Sequence, residues 1–505
     1  MSHGHTRTNT VVSVVAATIA LSLAVPSASL RGAPAWEALR PASAGQAQTF
    51  DRKQLPTPGP TPQLRVPQWT TAKLANGATL IVSERHDLPL VSFSMTFLGG
   101  TNQFEKLDKV GVGGFTTSML REGTKTRTAE QLSLDLQLLG TSVGAGIGGE
   151  SGTVSFLSTT EKFAPTLAIM SDMLLNSTFP AASLERLRQQ RLVQLAQANA
   201  QPGVIGNRVF GRVLYGAQHP YAADADEASI KAVTREDVVA FHQAYFQPAR
   251  AIITVVGDVN AASVKATIEK ALSGWAAGGE KPSFAYPALP AAKGTTIYLV
   301  DRPGSKQSSF NIGLPGPPRT TSDYIALQVM NFILGGHFQS RLNANLREEK
   351  GYSYGVSSGF AFGRGPGPFR AGGDIVSDKT DLALIEFMKE LRGIHGERPI
   401  TDDEMVQAKD SLIQRLPNQF SSVSATGSSI TSLYLQDLPV DYYQTYPKLV
   451  SAVTKEDVLR VAKKYIDIDH LNIVIVGDRK SIEEPLKKTG IATIVVLDAE
   501  GNPKQ

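Results

Sequence analysis

The sequence predicts an α+β protein of two homologous halves, each a duplicated α/β sandwich with helices on one face of a mostly antiparallel sheet. Three observations carry this reading. The chain has 505 residues, too many for one ordinary core and enough for two domains of roughly 200 residues. An internal repeat spans it: Ala232-Val233-Thr234-Arg235-Glu236-Asp237-Val238 returns as Ala452-Val453-Thr454-Lys455-Glu456-Asp457-Val458, and Val256-Gly257-Asp258 returns as Val476-Gly477-Asp478. Tyr245 and Tyr465 keep the same spacing, so the repeated unit is a colinear helix and strand and not two chance words. Finally, strands and amphipathic helices alternate in both halves without the fingerprints of a parallel sheet.

Taken in chain order, a mildly basic start (His3, His5, Arg7) precedes the apolar run Val11 to Val25 and then Pro26-Ser27-Ala28-Ser29. Residues 1–29 read as a secretory signal, cleaved near Ser29 or after Ala44; an uncleaved anchor is the alternative, although about 15 apolar residues is short of the ~20 a span requires. No Cys follows that run, which excludes a lipoprotein, and no later segment is apolar enough to span. The expected location is periplasmic or secreted, with no membrane span once the signal is removed. Residues 30–68, with Pro56-Thr57-Pro58-Gly59-Pro60-Thr61-Pro62, cannot pack a core and read as an extended leader.

Folded sequence begins near Trp69. Thr71 to Leu74, the turn Asn76-Gly77 and Thr79 to Ser83 read as a hairpin opening an N-terminal domain, 69–275. Thr234 and Thr454 are N-caps with acids in the first helical turn, each helix followed by a β-branched strand such as Ala251 to Val256. Residues 276–293, with three Pro and two Gly, have the composition of a linker. A C-terminal domain, 294–490, follows, and then a tail, 491–505.

Composition excludes several functions. With no cysteine, disulfides, thiolate metal sites and a Cys nucleophile are all ruled out. A formal charge of +4 with scattered basic residues points to no nucleic-acid partner. Gly144-Ala145-Gly146-Ile147-Gly148-Gly149 satisfies G-x-G-x-x-G, but a helix capped by Thr128 and ended at Gly140 precedes it and the strand Thr153 to Ser158 follows. That order is the reverse of a dinucleotide fingerprint. Past the signal, His86, His219, His242, His337, His395 and His470 include no pair close enough to share one helical face; a site built from distant His residues stays open. His219-Pro220-Tyr221 reads as a loop and His86 as a solvated turn. No G-x-S-x-G occurs, since Gly304-Ser305 and Gly427-Ser428 lack the flanking pattern. Glu348-Glu349 and Asp402-Asp403-Glu404 read as solvated charge at helix starts or exposed faces.

Two segments carry chemistry. In Leu334 to Gly355 a Gly pair (Gly335-Gly336) is expected to open a helix, Gly351 to end it, and a strand to begin near Tyr354. Arg347 and Tyr354 flank that turn and could donate hydrogen bonds to a peptide carbonyl and to the charge that develops on it. An Arg in a surface salt bridge and a half-buried sheet Tyr is the alternative for the pair taken alone. The other segment, Gly111-Val112-Gly113-Gly114-Phe115-Thr116-Thr117-Ser118-Met119-Leu120-Arg121-Glu122-Gly123-Thr124, has the outline G-x-x-H-F-x-E-H-M-L-x-x-G-T. Gly114, Thr117 and Ser118 stand where two His ligands and a Glu base would be. Downstream, Gln194 is the best counterpart of a third, Glu ligand, and no Asp or Glu lies between Glu185 and Asp224.

On these segments, together with the His219-Pro220-Tyr221 loop and the repeated Val-Gly-Asp strands, the chain resembles the pitrilysin/insulinase family of zinc peptidases over about 69–490. That family includes the mitochondrial processing peptidases and the core subunits of the respiratory cytochrome complex. The resemblance implies half of a clam shell around an unfolded peptide. It also implies a role for Arg347 and Tyr354, which in the family complete the zinc site from the opposite half. With every zinc position lost, the chain looks like the non-metal subunit of a two-chain bacterial peptidase: no cofactor of its own, zinc in a homologous partner that brings an intact H-x-x-E-H, and peptides as substrates. A stand-alone peptide-binding or scaffold protein is the other reading. The resemblance leaves the chain inactive by itself.

Overall fold

The computed structural model describes residues 64–504. The expected signal and the leader up to residue 63 lie outside the described residues.

In the N-terminal half, Asn76-Gly77 turns the chain between β1 (Thr70–Lys73) and β2 (Thr79–Glu84). Gly77 adopts φ +93°, and the Asn76 side chain accepts the Ala78 N–H at 3.2 Å. There follow β3 (Leu90–Leu98), α1 (Thr101–Phe104), α2 (Val112–Met119), α3 (Ala129–Leu138), β4 (Gly144–Ile147) and β5 (Ser151–Thr159). Helices α4 (Phe163–Asn176), α5 (Ala181–Ala198), α6 (Pro202–Tyr215), α7 (Glu227–Ala232) and α8 (Arg235–Tyr245) lead to β6 (Ala251–Gly257) and α9 (Ala261–Ala271). The strands lie in the order β1-β2-β6-β3-β5-β4, with β2–β6 the one parallel pair.

The C-terminal half repeats this plan. Its elements are β7 (Thr296–Asp301), β8 (Gln307–Pro315), α10 (Tyr324–Leu334), α11 (Arg341–Asn343), β9 (Ser353–Phe360), β10 (Pro368–Val376), α12 (Thr380–Arg392), α13 (Asp402–Gln414), α14 (Val423–Leu435), α15 (Tyr442–Ala452), α16 (Lys455–Tyr465), β11 (Asn472–Gly477), α17 (Arg479–Lys488) and β12 (Thr493–Leu497). The sheet order is β12-β7-β11-β8-β10-β9, with the three pairs from β11 to β9 antiparallel. The repeat is visible atom by atom at α8 and α16. Thr234 and Thr454 each accept the N–H three residues on, and Asp237 and Asp457 each bond back to the capping Thr. The stretch 491–505, expected as a tail, instead supplies β12, which runs parallel to β7 and closes one edge of the second sheet.

Each half packs its own helices against one face of its sheet, around Phe93, Phe97, Phe115 and Tyr245 in the first and Phe310, Phe369 and Phe387 in the second. The opposite face of each sheet is covered by a helix of the other half. α6 lays Ile205 and Val209 on Val300, Val474 and Val476 of the C-terminal sheet. α14 lays Ile430 on Ile81 and Ile252 of the N-terminal sheet, where the Thr254 and Thr431 hydroxyls meet at 2.7 Å. Residues 276–293 run between the halves without regular structure, with Leu289 against the α6 cluster. Among the described residues no helix is long and apolar enough to cross a membrane.

Candidate functional site

α2 begins after Gly111, whose φ of +103° suits only glycine, and Glu105 caps it by accepting the N–H groups of Gly111 and Gly113 at 3.1 and 2.7 Å. Burial raises the Glu105 carboxyl; the two backbone hydrogen bonds and the charge of Arg191 offset this only in part. Val112, Phe115 and Met119 face the core, and the helix lies against α5, α8 and β4.

The three altered positions stand on this helix, and none is offered to a ligand. The hydroxyls of Thr117 and Ser118 both donate to the carbonyl of Gly114, at 3.2 and 2.8 Å, as Thr116 does to Val112. Above Gly114 lies the half-buried guanidinium of Arg191 from α5: a Cβ at position 114 would stand 2.8 Å from Nη2 and 3.2 Å from Nη1. An imidazole cannot enter there while Arg191 holds that place. Gln194, one turn further along α5, is exposed. The structure therefore sets Arg191, and not Gln194, directly against Gly114.

Sequence reasoning missed Arg191. Its signal was the acid-free stretch that begins after Glu185. Arg186 and Arg188 pair with Glu122 and Glu185, whereas Arg191 has no ion pair among the described residues. A cavity of about 290 Å³ opens beside it, with Glu105 on one wall and Asp224 on another. Asp224 is held by Arg208 Nε at 2.7 Å. With an amide, two inward-turned hydroxyls and a guanidinium, this donor set does not fit zinc, which needs imidazole or anionic ligands. Nor do three or more His, Asp or Glu side chains gather anywhere to hold a metal among the described residues.

The glycine segment and the His219 loop form a joint. Gly144–Ile147 pairs with β5 as an outer strand, and Gly148 O accepts the Thr101 N–H at 2.9 Å. Buried His219 accepts the Tyr221 N–H on Nδ1 at 3.0 Å, and desolvation lowers its pKa, keeping it neutral. Tyr221 and Tyr286 donate to Glu150, which also accepts the Arg364 N–H at 2.8 Å. His86 bonds Asp258 at 2.7 Å on the surface.

In the C-terminal half the expected helix start is corrected. Gly335 caps the end of α10, its N–H bonded to Asn331 O at 2.9 Å, and the next helix opens after Ser340. α11 continues through 344–349 in a wider turn, with i→i+5 bonding. Arg341 anchors it: buried, it forks onto Glu404 at 2.6 and 2.8 Å and reaches the carbonyls of Arg398 and Pro399. Glu404, expected as solvated charge, is thus half of an ion pair. Burial raises its carboxyl, but the Arg341 and Thr401 hydrogen bonds outweigh this and hold it at about 2.

Gly351, at φ +66°, then reverses the chain into β9, and Asn343 ties helix to strand by donating to Phe338 O and accepting the Val356 N–H. Arg347 and Tyr354 stand on either side of this turn. The Arg347 guanidinium lies 4.0 Å from the Phe338 ring centroid and 2.5 Å from Glu348. Tyr354, expected to be half-buried if structural, is 86% exposed on the outer strand of its sheet. No hydrogen bond or ion pair joins either residue to positions 114, 117, 118 or 194 among the described residues.

Comparison with known proteins places these features. A family model described as Insulinase (Peptidase family M16) matches residues 82–215, and one described as Peptidase M16 inactive domain matches 232–412. An uncharacterized zinc protease of Rickettsia felis is 23% identical over 398 residues, 78% of this chain and 94% of the relative. The non-peptidase homolog YmxG of Helicobacter pylori is 22% identical over 408 residues, 79% and 92% of the two chains. Among solved structures, the peptidase M16 inactive domain from Pseudomonas fluorescens superposes with a TM-score of 0.74 at 26% identity, covering 81% of this chain and 98% of that one. A protease from Helicobacter pylori shares the fold at a TM-score of 0.72 and 19% identity, over 81% and 99%.

Proposed function

The chain belongs to the peptidase M16 (insulinase) family but lacks that family's zinc-binding residues, and from this premise we infer that it is the non-catalytic subunit of a heteromeric zinc peptidase, binding peptide substrate and completing the partner's transition-state site. The observation that carries the reading is the contrast between a filled α2 site and a Tyr354 left exposed beside Arg347 on a pinned turn.

The chemistry follows from where charge develops. As water adds to a peptide carbonyl, its oxygen becomes an oxyanion, and donors already aimed at it lower the barrier more than they favour the ground state. A phenol and a guanidinium fixed across one turn supply such donors, the Arg bond being charge-assisted. The outer strands β4 and β9 leave one backbone edge each to which an extended peptide can add. In this reading the homologue brings zinc and an intact H-x-x-E-H, and the pair works in the periplasm or outside the cell. The chain alone cleaves nothing.

A stand-alone peptide-binding or scaffold role is favoured by one observation, the Glu348 carboxylate already engaging Arg347. Co-expression with a zinc-bearing homologue separates the two. Peptide cleavage by the pair well above either chain alone supports the subunit reading; equal cleavage by the homologue alone supports the scaffold.

A further inference from the structure

Between α10, α13, α14 and α15 lies a cavity of about 360 Å³ that the reading above does not use. Its wall carries two arginines, Arg319 and Arg415, and no Asp or Glu. The Arg319 guanidinium is stacked 3.4 Å from the Tyr324 ring centroid and 5.3 Å from that of Tyr442, while Arg415 lies 5.2 Å from the ring of Phe332. Neither has an ion pair among the described residues. Of the acids next in sequence to that wall, Asp437 is taken by Arg364 at 2.7 Å and Asp323 by Arg460 and Lys464 at 2.8 Å, while Asp441 is exposed to solvent.

A guanidinium stacked on its faces keeps its N–H edge free, and that edge matches a carboxylate. Arg319 is half-buried, and a partly enclosed cation without a counter-ion is costly unless an anion enters; Arg415, exposed beside the same cavity, adds a second positive charge. A third group narrows the choice: Gln436 Oε1 is buried and accepts no hydrogen bond among the described residues, so this acceptor is left for a donor on the ligand. Tyrosine rings form apolar walls, and burial pushes the Tyr446 hydroxyl up to about 12, leaving it protonated and a donor at neutral pH. Inorganic phosphate would answer the arginines and keeps an O–H for the orphan acceptor, but it has nothing to set against the rings.

We propose that this cavity binds the free α-carboxylate of an acylated amino acid or of a short peptide's C-terminus. The carboxylate sits on Arg319 and Arg415, the adjacent amide N–H donates to Gln436 Oε1, and an apolar side chain lies against Tyr442 and Tyr446. The assignment stands whether or not the chain pairs with a zinc-bearing homologue.

Calorimetric titration of the whole chain tests it, with a tripeptide ending in Phe as free acid, the same tripeptide as C-terminal amide, N-acetyl-phenylalanine, and inorganic phosphate. The free acid is expected to bind saturably and about tenfold or more tighter than the amide or phosphate. A tighter tripeptide than acetylated amino acid assigns the peptide end; the reverse assigns the amino acid. Arg319→Gln and Arg415→Gln are each expected to weaken the acid about tenfold, and Arg415, the more exposed, is the safer change if the other fails to fold. Gln436→Met should weaken binding while leaving the melting temperature unchanged or higher, because it removes an unsatisfied buried acceptor. Equal binding of acid and amide, tighter binding of phosphate, no saturation by about 10 mM, or folded arginine variants that bind as wild type would each overturn it.

Discussion

The two halves of this chain share one core plan, yet the segments that carry their chemistry, α2 in the first and the α11–β9 turn in the second, are treated in opposite ways. In the N-terminal half the α2 site is closed from within: hydroxyls turn back onto their own helix and Arg191 covers Gly114. In the C-terminal half, Arg341 and Glu404 spend a buried ion pair on pinning a helix whose far end presents Arg347 and, across the turn, an exposed Tyr354. The sheet edges differ as well. β1 reaches the first sheet as a hairpin partner of β2, whereas β12 arrives from the far end of the chain and lies parallel to β7. A duplicated unit thus keeps its core and helix exchange while its outer strands and helix surfaces diverge, and function resides in the surfaces.

The comparison breaks most readily at the anchor of the C-terminal turn. Arg341→Ala leaves Glu404 partly buried without its partner and should cost about 3–5 kcal/mol, read by chemical denaturation. The loss set against it in the N-terminal half, Arg191→Ala, should cost under about 1 kcal/mol, because Arg191 has no ion pair among the described residues to break. Similar losses at both sites would erase the contrast.

Metal restoration sharpens it. Gly114→His, Thr117→Glu, Ser118→His and Gln194→Glu together restore the ligand types, but the guanidinium still stands at the first of them. Zinc affinity is expected to rise by about 100-fold or more only when Arg191→Ala is added, measured by competition with a chelating dye. Tight zinc binding by the four-residue variant alone would show that Arg191 yields freely.

Acid should act on the C-terminal half first. Glu404 has its folded pKa depressed to about 2 from 4.5, so its contribution is present above about pH 4.5 and fades as pH falls toward 2. The loss is on the order of 2 kcal/mol once partial exposure is discounted. Arg341→Met with Glu404→Gln should flatten that part of the stability–pH curve.

The smallest effects come from one substitution made at matching glycines of the exchanged helices. In α6, a Cβ at Gly206 would meet Asn311 Nδ2 at 2.6 Å and Val476 at 3.4 Å. In α14, a Cβ at Gly427 would find ordinary contacts, with Val256 at 3.5 Å. Gly206→Ala should destabilise by about 1 kcal/mol, its gain in helix propensity lost to overpacking, and Gly427→Ala should stabilise by up to about 1 kcal/mol. Thermal unfolding decides whether the signs are opposite.

Much of this was legible in the sequence because it is local. The hairpin at Asn76-Gly77, the capped repeats at Thr234 and Thr454 and the altered α2 segment each announce themselves within a dozen residues. What was not legible depends on partners far away in the chain. Burial periodicity shows that α6 and α14 have an apolar face, not that each face lies on the other half's sheet. Arg191 looks like any helix-surface base until α5 is set against α2. Glu404 sits in an acidic run, and only the fold brings Arg341 to it. Gly335-Gly336 misled because glycine both ends and precedes helices, and the true N-cap, Ser340, lies further on.

The division of labour between the halves is tested most directly by turnover of a reconstituted complex. With a zinc-bearing homologue supplied in trans, Tyr354→Phe should lower peptide cleavage on the order of 10²-fold, about 3 kcal/mol, and Arg347→Ala at least as much, while both variants still assemble. Wild-type turnover from the Arg347→Ala, Tyr354→Phe double variant would contradict the account and leave the pair a surface feature of a scaffold.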